Sequence, residues 1–329
     1  MLPLKLGVSL WSQGTTWPAI LRAGNVVDRA GYTYLFTQDH LYATFGDWRQ
    51  PVFEGWTLLG ALAQATRHVQ IGLLVGANTL RHPGLTAKMA VTLDHVSAGR
   101  AVLGLGAGWF EPEHRAHDIR FGASPGERLS WLDESATAVR ALLRGQDVEQ
   151  IGPGYTFRHA QHAPLPLRPL LPILIGGGGE QRTLRIVARS ADIWNAMGSV
   201  ETLRRKAAIL DGYCETIGRD PASIERSVTC KMVIRSSPAT ARRVWEAALA
   251  ANHTALDIEP DPWLGPPDVI ADRITRYRAI GVTTVVVSLP WPYDSETIHR
   301  LRDEVVPLVT SPMVTSPTAP SASLAAAGR

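Results

Sequence analysis

IGLLVGANTLRHPGLTAKMAVTLDHVSAGRAVLGLGAGWFEPEH, residues 71–114, decides the fold. Two short apolar runs, 71–75 and 101–105, flank a helical pattern over 85–96. Neither run alternates with polar residues, so each reads as a strand buried on both faces, as in a parallel sheet covered by helices. Each run stops at small residues, Gly76-Ala77-Asn78 and Gly106-Ala107-Gly108. Small residues at the carboxyl ends of parallel strands let a ligand come close to the backbone, and that edge is where α/β proteins bind ligands.

The same alternation continues outward in both directions. Strands are predicted over 4–10 and 32–37 before this stretch, and over 172–175, 192–195, 228–234 and 283–289 after it. Helical patterns cover 17–30, 55–66, 127–144, 181–189, 201–217, 239–251, 268–280 and 295–306. A hairpin at 148–159, turning at Pro153-Gly154, interrupts the repeat after strand four. A loop follows helix 239–251 and holds Pro260, Pro262, Pro266 and Pro267. About eight strand–helix units in roughly 300 residues predict the α/β class and a (β/α)8 TIM-type barrel with an insertion after strand four. An open doubly wound sheet fits less well, because no G-x-G-x-x-G follows the first strand. We expect one domain over 1–309. Residues 310–329, rich in Ser, Thr, Pro and Ala, are expected to form a disordered tail.

Composition narrows the partners. The chain of 329 residues is 45% hydrophobic and 19% charged, with a net charge of +3. Its basic residues are scattered; Arg204-Arg205-Lys206 and Arg242-Arg243 read as solvated helix faces, so no nucleic acid is expected. An anionic small molecule suits the slightly basic balance. Cys214 and Cys230 lie in no C-x-x-C or metal-ligand spacing and read as buried free thiols of a reducing compartment. The amino terminus runs into a strand without a leader pattern, and no apolar segment is long enough to span a bilayer, so a cytoplasmic location is expected. No nucleophile elbow and no metal signature is present.

A barrel gathers its site from the residues after each strand. Here those are Trp11-Ser12, Asp39-His40, Gly76-Ala77-Asn78, Gly106-Ala107-Gly108-Trp109, Gly176–Gly179, Trp194-Asn195 and Pro290-Trp291. Tryptophan and glycine dominate this set, which suits a flat, extended aromatic ligand. Gly176-Gly177-Gly178-Gly179 lies between a strand and a helix expected to start near Glu180, where backbone N–H groups and the helix dipole form an anion site. On chemistry alone Asp39-His40 reads as a cap or turn. Residues 111–114 read either as the exposed start of a helix or as contacts to a ligand. Arg81 and His82 either reach an anion or anchor their loop. Trp194 is either core or cavity wall.

Taken together, QDHL at 38–41, NTLRHP at 78–83, SAGRAVLGLGAGWFEPEHRA at 97–116, PILIGGGGEQRTLRIVARSADIWN at 172–195 and TIGRDPASI at 216–224 resemble the bacterial luciferase-like oxidoreductases, most of all their coenzyme F420-dependent branch. The resemblance covers about residues 4–308. It implies a deazaflavin at the carboxyl face of the barrel, with FMN as the alternative cofactor. It implies cofactor contacts from Asp39, Leu74, Val75, Gly76, Ala77, Asn78, Gly106, Ala107, Gly108 and Gly176 to Gly179. A bulge at Leu74-Val75-Gly76, of a kind that often carries a cis peptide not preceding proline, would support the ring. His40 would be catalytic, stabilising or protonating at the reacting centre. Trp11, Trp109, Trp194 and Trp291 would line a pocket for an apolar or aromatic substrate. Trp109 replaces the glutamate that the family's sugar-phosphate dehydrogenases carry, which argues against a sugar phosphate. The leading expectation is hydride transfer between coenzyme F420 and a small organic molecule. A two-component monooxygenase using reduced FMN and oxygen, and a non-catalytic flavin-binding barrel, are the other readings. A reductase for the cofactor and a second copy of the chain, as a homodimer, are the expected partners.

Overall fold

The computed structural model describes residues 3–254 and 261–310. Thirteen strands form among these residues: β1 Lys5–Leu10, β2 Tyr34–Thr37, β3 Gln70–Leu73, β4 Gly76–Ala77, β5 Ala101–Gly106, β6 Val148–Ile151, β7 Thr156–Ala160, β8 Ile173–Gly176, β9 Ile193–Ala196, β10 Glu225–Cys230, β11 Met232–Ile234, β12 Trp263–Gly265 and β13 Thr284–Leu289. Eight of them run parallel in the order β1-β2-β3-β5-β8-β9-β10-β13, and β13 pairs back onto β1, closing the barrel. The helices are α1 Trp17–Arg29, α2 Gly55–Ala65, α3 Pro83–Val96, α4 Glu111–Ala116, α5 Pro125–Leu143, α6 Thr183–Ser190, α7 Val200–Thr216, α8 Pro238–Ala251, α9 Pro267–Arg278, α10 Ser295–Arg300 and, after a π turn, α11 Val306–Thr310.

The eight-unit repeat read from the sequence is this ring. The hairpin is present as antiparallel β6 and β7, inserted after the fourth barrel strand. Three expectations need correction. Helix α6 begins at Thr183, three residues beyond Glu180, because a turn intervenes. The proline-containing loop before α9 holds a strand, β12, which pairs parallel with β11. Thr310 ends α11 rather than starting a tail, and the remainder of the expected tail, 311–329, lies outside the described residues, as does Pro260.

Two apolar layers stabilise the ring. The larger sits between strands and helices; the smaller fills the barrel with Tyr34, Phe36, Val102, Leu174, Ile193 and Val286. Most helices start with a side-chain cap: Ser124, Ser199 and Ser237 accept from the backbone N–H three residues on, and Glu54 caps α2 through two N–H groups. At the opposite end of the barrel, buried Asp28 accepts from the backbone N–H groups of Arg67, His68 and Val69 and so fixes the entry into β3.

The ring is tightest where β3 meets β5. Gly72 pairs with Val102, then Gly76 pairs with Leu105, so the β3–β4 side carries one residue more than its partner. This is a bulge, and its Leu74–Val75 peptide is cis. A Cβ on Gly104 would lie well inside van der Waals contact distance of the Leu73 carbonyl oxygen, and one on Gly72 well inside that of the Val102 carbonyl oxygen. Both glycines are therefore required by backbone proximity.

Two outcomes follow from this packing. Gly104→Ala should cost ~3 kcal/mol, because backbone and not a movable side chain opposes the new methyl; the urea midpoint measures it. For Asp28, burial pushes the carboxyl up, but the three N–H donors and His68 outweigh it and hold it below the ordinary value. Its contribution is therefore complete above the unfolded value of about 3.9 and is lost as the pH falls through the lower folded value. Asp28→Asn, whose amide faces three donors with a donor of its own, should lose about 2 kcal/mol at pH 7. The gap to wild type should shrink below pH ~4, read from urea melts across that range.

Candidate functional site

The carboxyl ends of the barrel strands surround a cavity of about 530 Å³. Its floor is the bulge. Leu74 and Val75 pack onto the inner barrel core and also line the cavity. Glycines make room for Val75: a Cβ on Gly106 would stand 2.6 Å from Val75 Cγ2, and one on Gly176 would stand 2.9 Å from Cγ1. These two glycines serve the bulge from β5 and β8.

Gly177 and Gly178 line one end of the cavity, and Gly179 follows them in the chain. Gly177 donates its N–H to Asn195, while the N–H groups of Gly178 and Gly179 have no acceptor among the described residues. Two polar side chains converge on them. Lys206 Nζ lies 2.6 Å from where a Cβ on Gly178 would be, and Thr183 Oγ1 lies 2.7 Å from the same point on Gly179. Lys206 has no carboxylate within ion-pair distance among the described residues. An ammonium, two N–H groups, a hydroxyl and the first turn of α6 are thus gathered around one short segment, a donor set that fits a phosphate. Lys206 belongs to the basic run read from the sequence as solvated. Its neighbour Arg205 does pair outward, with Glu180. Lys206 borders the buried stripe of α7, Leu203, Ala207, Leu210 and Cys214, and is turned toward the barrel.

His40 stands on the cavity wall. Its Nδ1 is 3.0 Å from Glu113 Oε1, and Glu113 Oε2 accepts from the Leu41 N–H at 2.7 Å. Trp109 and Phe110 meet the His40 ring edge-on, with centroids 5.6 and 5.9 Å away. Helix α4 brings these groups together, and it is not an exposed helix start: Glu113 and His114 are both 0% exposed. His114 is held by Thr79 and the Phe110 carbonyl, away from the cavity. Glu111 and Pro112 are outward, and Glu111 pairs with Arg115.

Asp39, almost wholly buried, binds the bulge from the side. Its Oδ2 accepts from the Ala77 N–H at 2.9 Å and from Arg81 at 2.8 Å. Arg81 also pairs with Glu54 at 2.6 Å, so it anchors its loop and does not face the cavity. Burial pushes the Asp39 carboxyl up against the pull of Arg81 and the Ala77 amide. For Glu54 burial also acts upward, but the Thr57 and Trp56 N–H groups and Arg81 bring it below its ordinary value.

Of the four expected tryptophans, two line the cavity. Trp11 stacks on Phe45 at 4.6 Å and donates to Ser288, while Trp109, 61% exposed, forms part of the rim. Trp194 is core: it is buried among the outer apolar layer, and its Nε1 donates to the Gly177 carbonyl. It shapes the glycine segment from behind. Trp291 packs on that same layer, with its carbonyl accepting from Asn252, and lies off the cavity wall. Gly76, Asn78 and Gly179 are also not on the wall. Asn78 is turned to the hairpin, where Tyr155 Oη donates to its carbonyl at 2.6 Å. A larger groove of about 1150 Å³ lies on the flank between α7, α8 and α9; it shares Thr229 with the mouth cavity and none of the groups above.

A family model described as luciferase-like monooxygenase matches residues 1–284. The chain belongs to that family. This luciferase-like chain is 24% identical over 349 residues to an FMNH2-dependent dimethylsulfone monooxygenase of Pseudomonas putida, covering 92% of each chain. It is 25% identical over 314 residues to an F420-dependent glucose-6-phosphate dehydrogenase of Beutenbergia cavernae, covering 86% of this chain and 90% of the other. Its fold is similar to that of an F420-dependent secondary alcohol dehydrogenase solved with an F420–acetone adduct, at a TM-score of 0.80 and 19% identity, over 94% of this chain and 100% of that one. Luciferase-like relatives therefore include both deazaflavin and flavin enzymes, and the chain is an oxidoreductase of this kind.

The Asp39–Arg81 pair gives the site a stability test. Arg81→Met leaves a buried carboxylate without its cation and should cost about 3 kcal/mol at pH 7. Because Asp39 is the group left unpaired, protonating it relieves the cost, so the loss should be smaller at pH 5 than at pH 7. Thermal midpoints of both chains at the two pH values measure it.

Proposed function

We propose that this chain is a coenzyme F420-dependent oxidoreductase that moves a hydride between the deazaflavin and a small apolar or aromatic molecule. The observation that carries the reading is the order of groups around one cavity. An anion cradle, Gly178-Gly179 with Thr183 and Lys206, stands at one end, an apolar floor of Leu74 and Val75 lies beneath, and His40 is on the wall. A flat cofactor with a phosphate at one end matches this order.

When bound, the deazaflavin supplies or accepts the hydride. The protein's own residues do the rest. Lys206 and the glycine N–H groups hold the phosphate. Leu74 and Val75 support one face of the ring, and Asp39 fixes the bulge that carries them. His40 gives or takes a proton at the substrate atom whose charge changes as hydride moves. Trp11, Phe45 and Trp109 exclude water and favour an apolar substrate. Trp109 lines the cavity where the resemblance places a glutamate in the family's sugar-phosphate dehydrogenases, which favours an apolar substrate over a sugar phosphate. The extent of the match to the dimethylsulfone enzyme favours a second reading, a monooxygenase fed with reduced FMN by a reductase.

Paired fluorescence titrations of the purified protein with coenzyme F420 and FMN separate the two. The expected result is tight deazaflavin binding and weaker FMN binding. Lys206→Ala should weaken the preferred cofactor 10- to 100-fold, the value of a charge-assisted hydrogen bond, without changing the thermal midpoint. A preference for FMN would replace the first reading with the second. Binding of neither would leave a barrel that is not a flavin enzyme.

A further inference from the structure

We propose that Glu113 is the positioning residue of His40: it fixes the imidazole as the Nδ1–H tautomer and presents a bare Nε2 to the cavity. The inference rests on the reading of His40 as the proton-handling group, and Glu113 itself touches neither cavity nor ligand site.

Three observations carry it. First, an ionised carboxylate only accepts. Both Glu113 oxygens are engaged at close range, Oε1 with His40 Nδ1 and Oε2 with the Leu41 N–H. The second bond prevents the carboxylate from turning away, because turning would orphan a backbone donor next to the histidine. Nδ1 must therefore carry a proton, and the neutral ring then has its lone pair on Nε2. Second, Glu113 is wholly buried while the His40 side chain is 15% exposed, so the carboxylate works only through the ring. Third, Trp109 and Phe110 pack edge-on against His40, which removes the ring's freedom to flip and exchange its two nitrogens.

The consequence is chemical. A His40 held this way takes a proton from a substrate hydroxyl at Nε2 as the neutral ring. It returns that proton to a carbonyl oxygen as the imidazolium, whose charge then faces Glu113. The carboxylate stands behind the proton carrier rather than beside it.

Nitrogen NMR of protein labelled in the histidine ring nitrogens tests this without cofactor or turnover, with His40→Gln identifying the His40 signals. Wild type should show a protonated Nδ1 and an unprotonated Nε2 above the ring's titration. Glu113→Gln should redistribute the tautomers, because its amide can donate to Nδ1, and Glu113→Asp should keep the wild-type pattern if its shorter chain still spans both donors. In turnover, kcat of Glu113→Gln should fall at least 100-fold with cofactor affinity unchanged. A wild-type Nε2–H signal, or a Glu113→Gln spectrum identical to wild type, overturns the proposal. Correct tautomers with kcat unchanged in Glu113→Gln would overturn the role of His40 in proton transfer instead, so the two failures are distinguishable.

Discussion

The contact on which the site depends is between two backbones. Where β3 passes β5, Gly72 and Gly104 leave no room for a side chain, and the extra residue of the bulge, Val75, faces the barrel interior. Val75 occupies that space, and the glycines at the ends of β5 and β8 are small because Val75 needs the room. The barrel closes and the cavity gains its floor through the same steric fact. A sequence of the form GLGAG followed some seventy residues later by IGGGG thus records two demands. Gly106 and Gly176 accommodate a valine and Gly104 a neighbouring carbonyl, whereas Gly178 and Gly179 have N–H groups without an acceptor among the described residues.

A second constraint is electrostatic. Asp39, Arg81 and Glu54 form a chain of alternating charge from the end of β2 across the loop after β4 to the start of α2. A single arginine joins two acidic groups whose environments act oppositely. Asp39 is pushed toward its neutral form by burial, while Glu54 is drawn toward its charged form by the N–H groups it caps. The arginine is required by the first and supported by the second, and the loop between them is fixed at both ends. The deeper partner is the one that holds the Ala77 amide and therefore the bulge.

Much of this was legible in the sequence. Apolar runs marked most barrel strands, and residues after them marked the mouth, because buried parallel strands and ligand-binding edges both leave a compositional trace; the run expected at 228–234 instead straddles the end of β10, whose first residues Glu225, Arg226 and Ser227 are polar, and the separate strand β11. The hairpin was visible in its Pro-Gly turn. What escaped detection depended on side-chain direction. Glu111 and Glu113 are two residues apart on a six-residue helix, and periodicity over so short a span does not say which turns inward. Lys206 borders the buried stripe of α7 and was hidden within a basic run whose other members are solvated. Trp194, within β9, alternates to the outer layer, and Trp291, two residues past β13, packs on that same layer. Strand β12 is three residues long within a proline-containing segment, where turn signals mask it.

The hairpin of β6 and β7 contributes no residue to the cavity wall, yet Tyr155 grips the main chain at Asn78, directly after the bulge, and His82 is seated against Tyr155 and Phe157. The loop behind the cavity floor is therefore buttressed from outside the barrel by a segment that the (β/α)8 repeat does not need. Exchanging this insertion between members of the family would not be a neutral graft. It would transmit its own length and tilt to the bulged strand through one phenol, making a peripheral ornament a tuning element for the mouth.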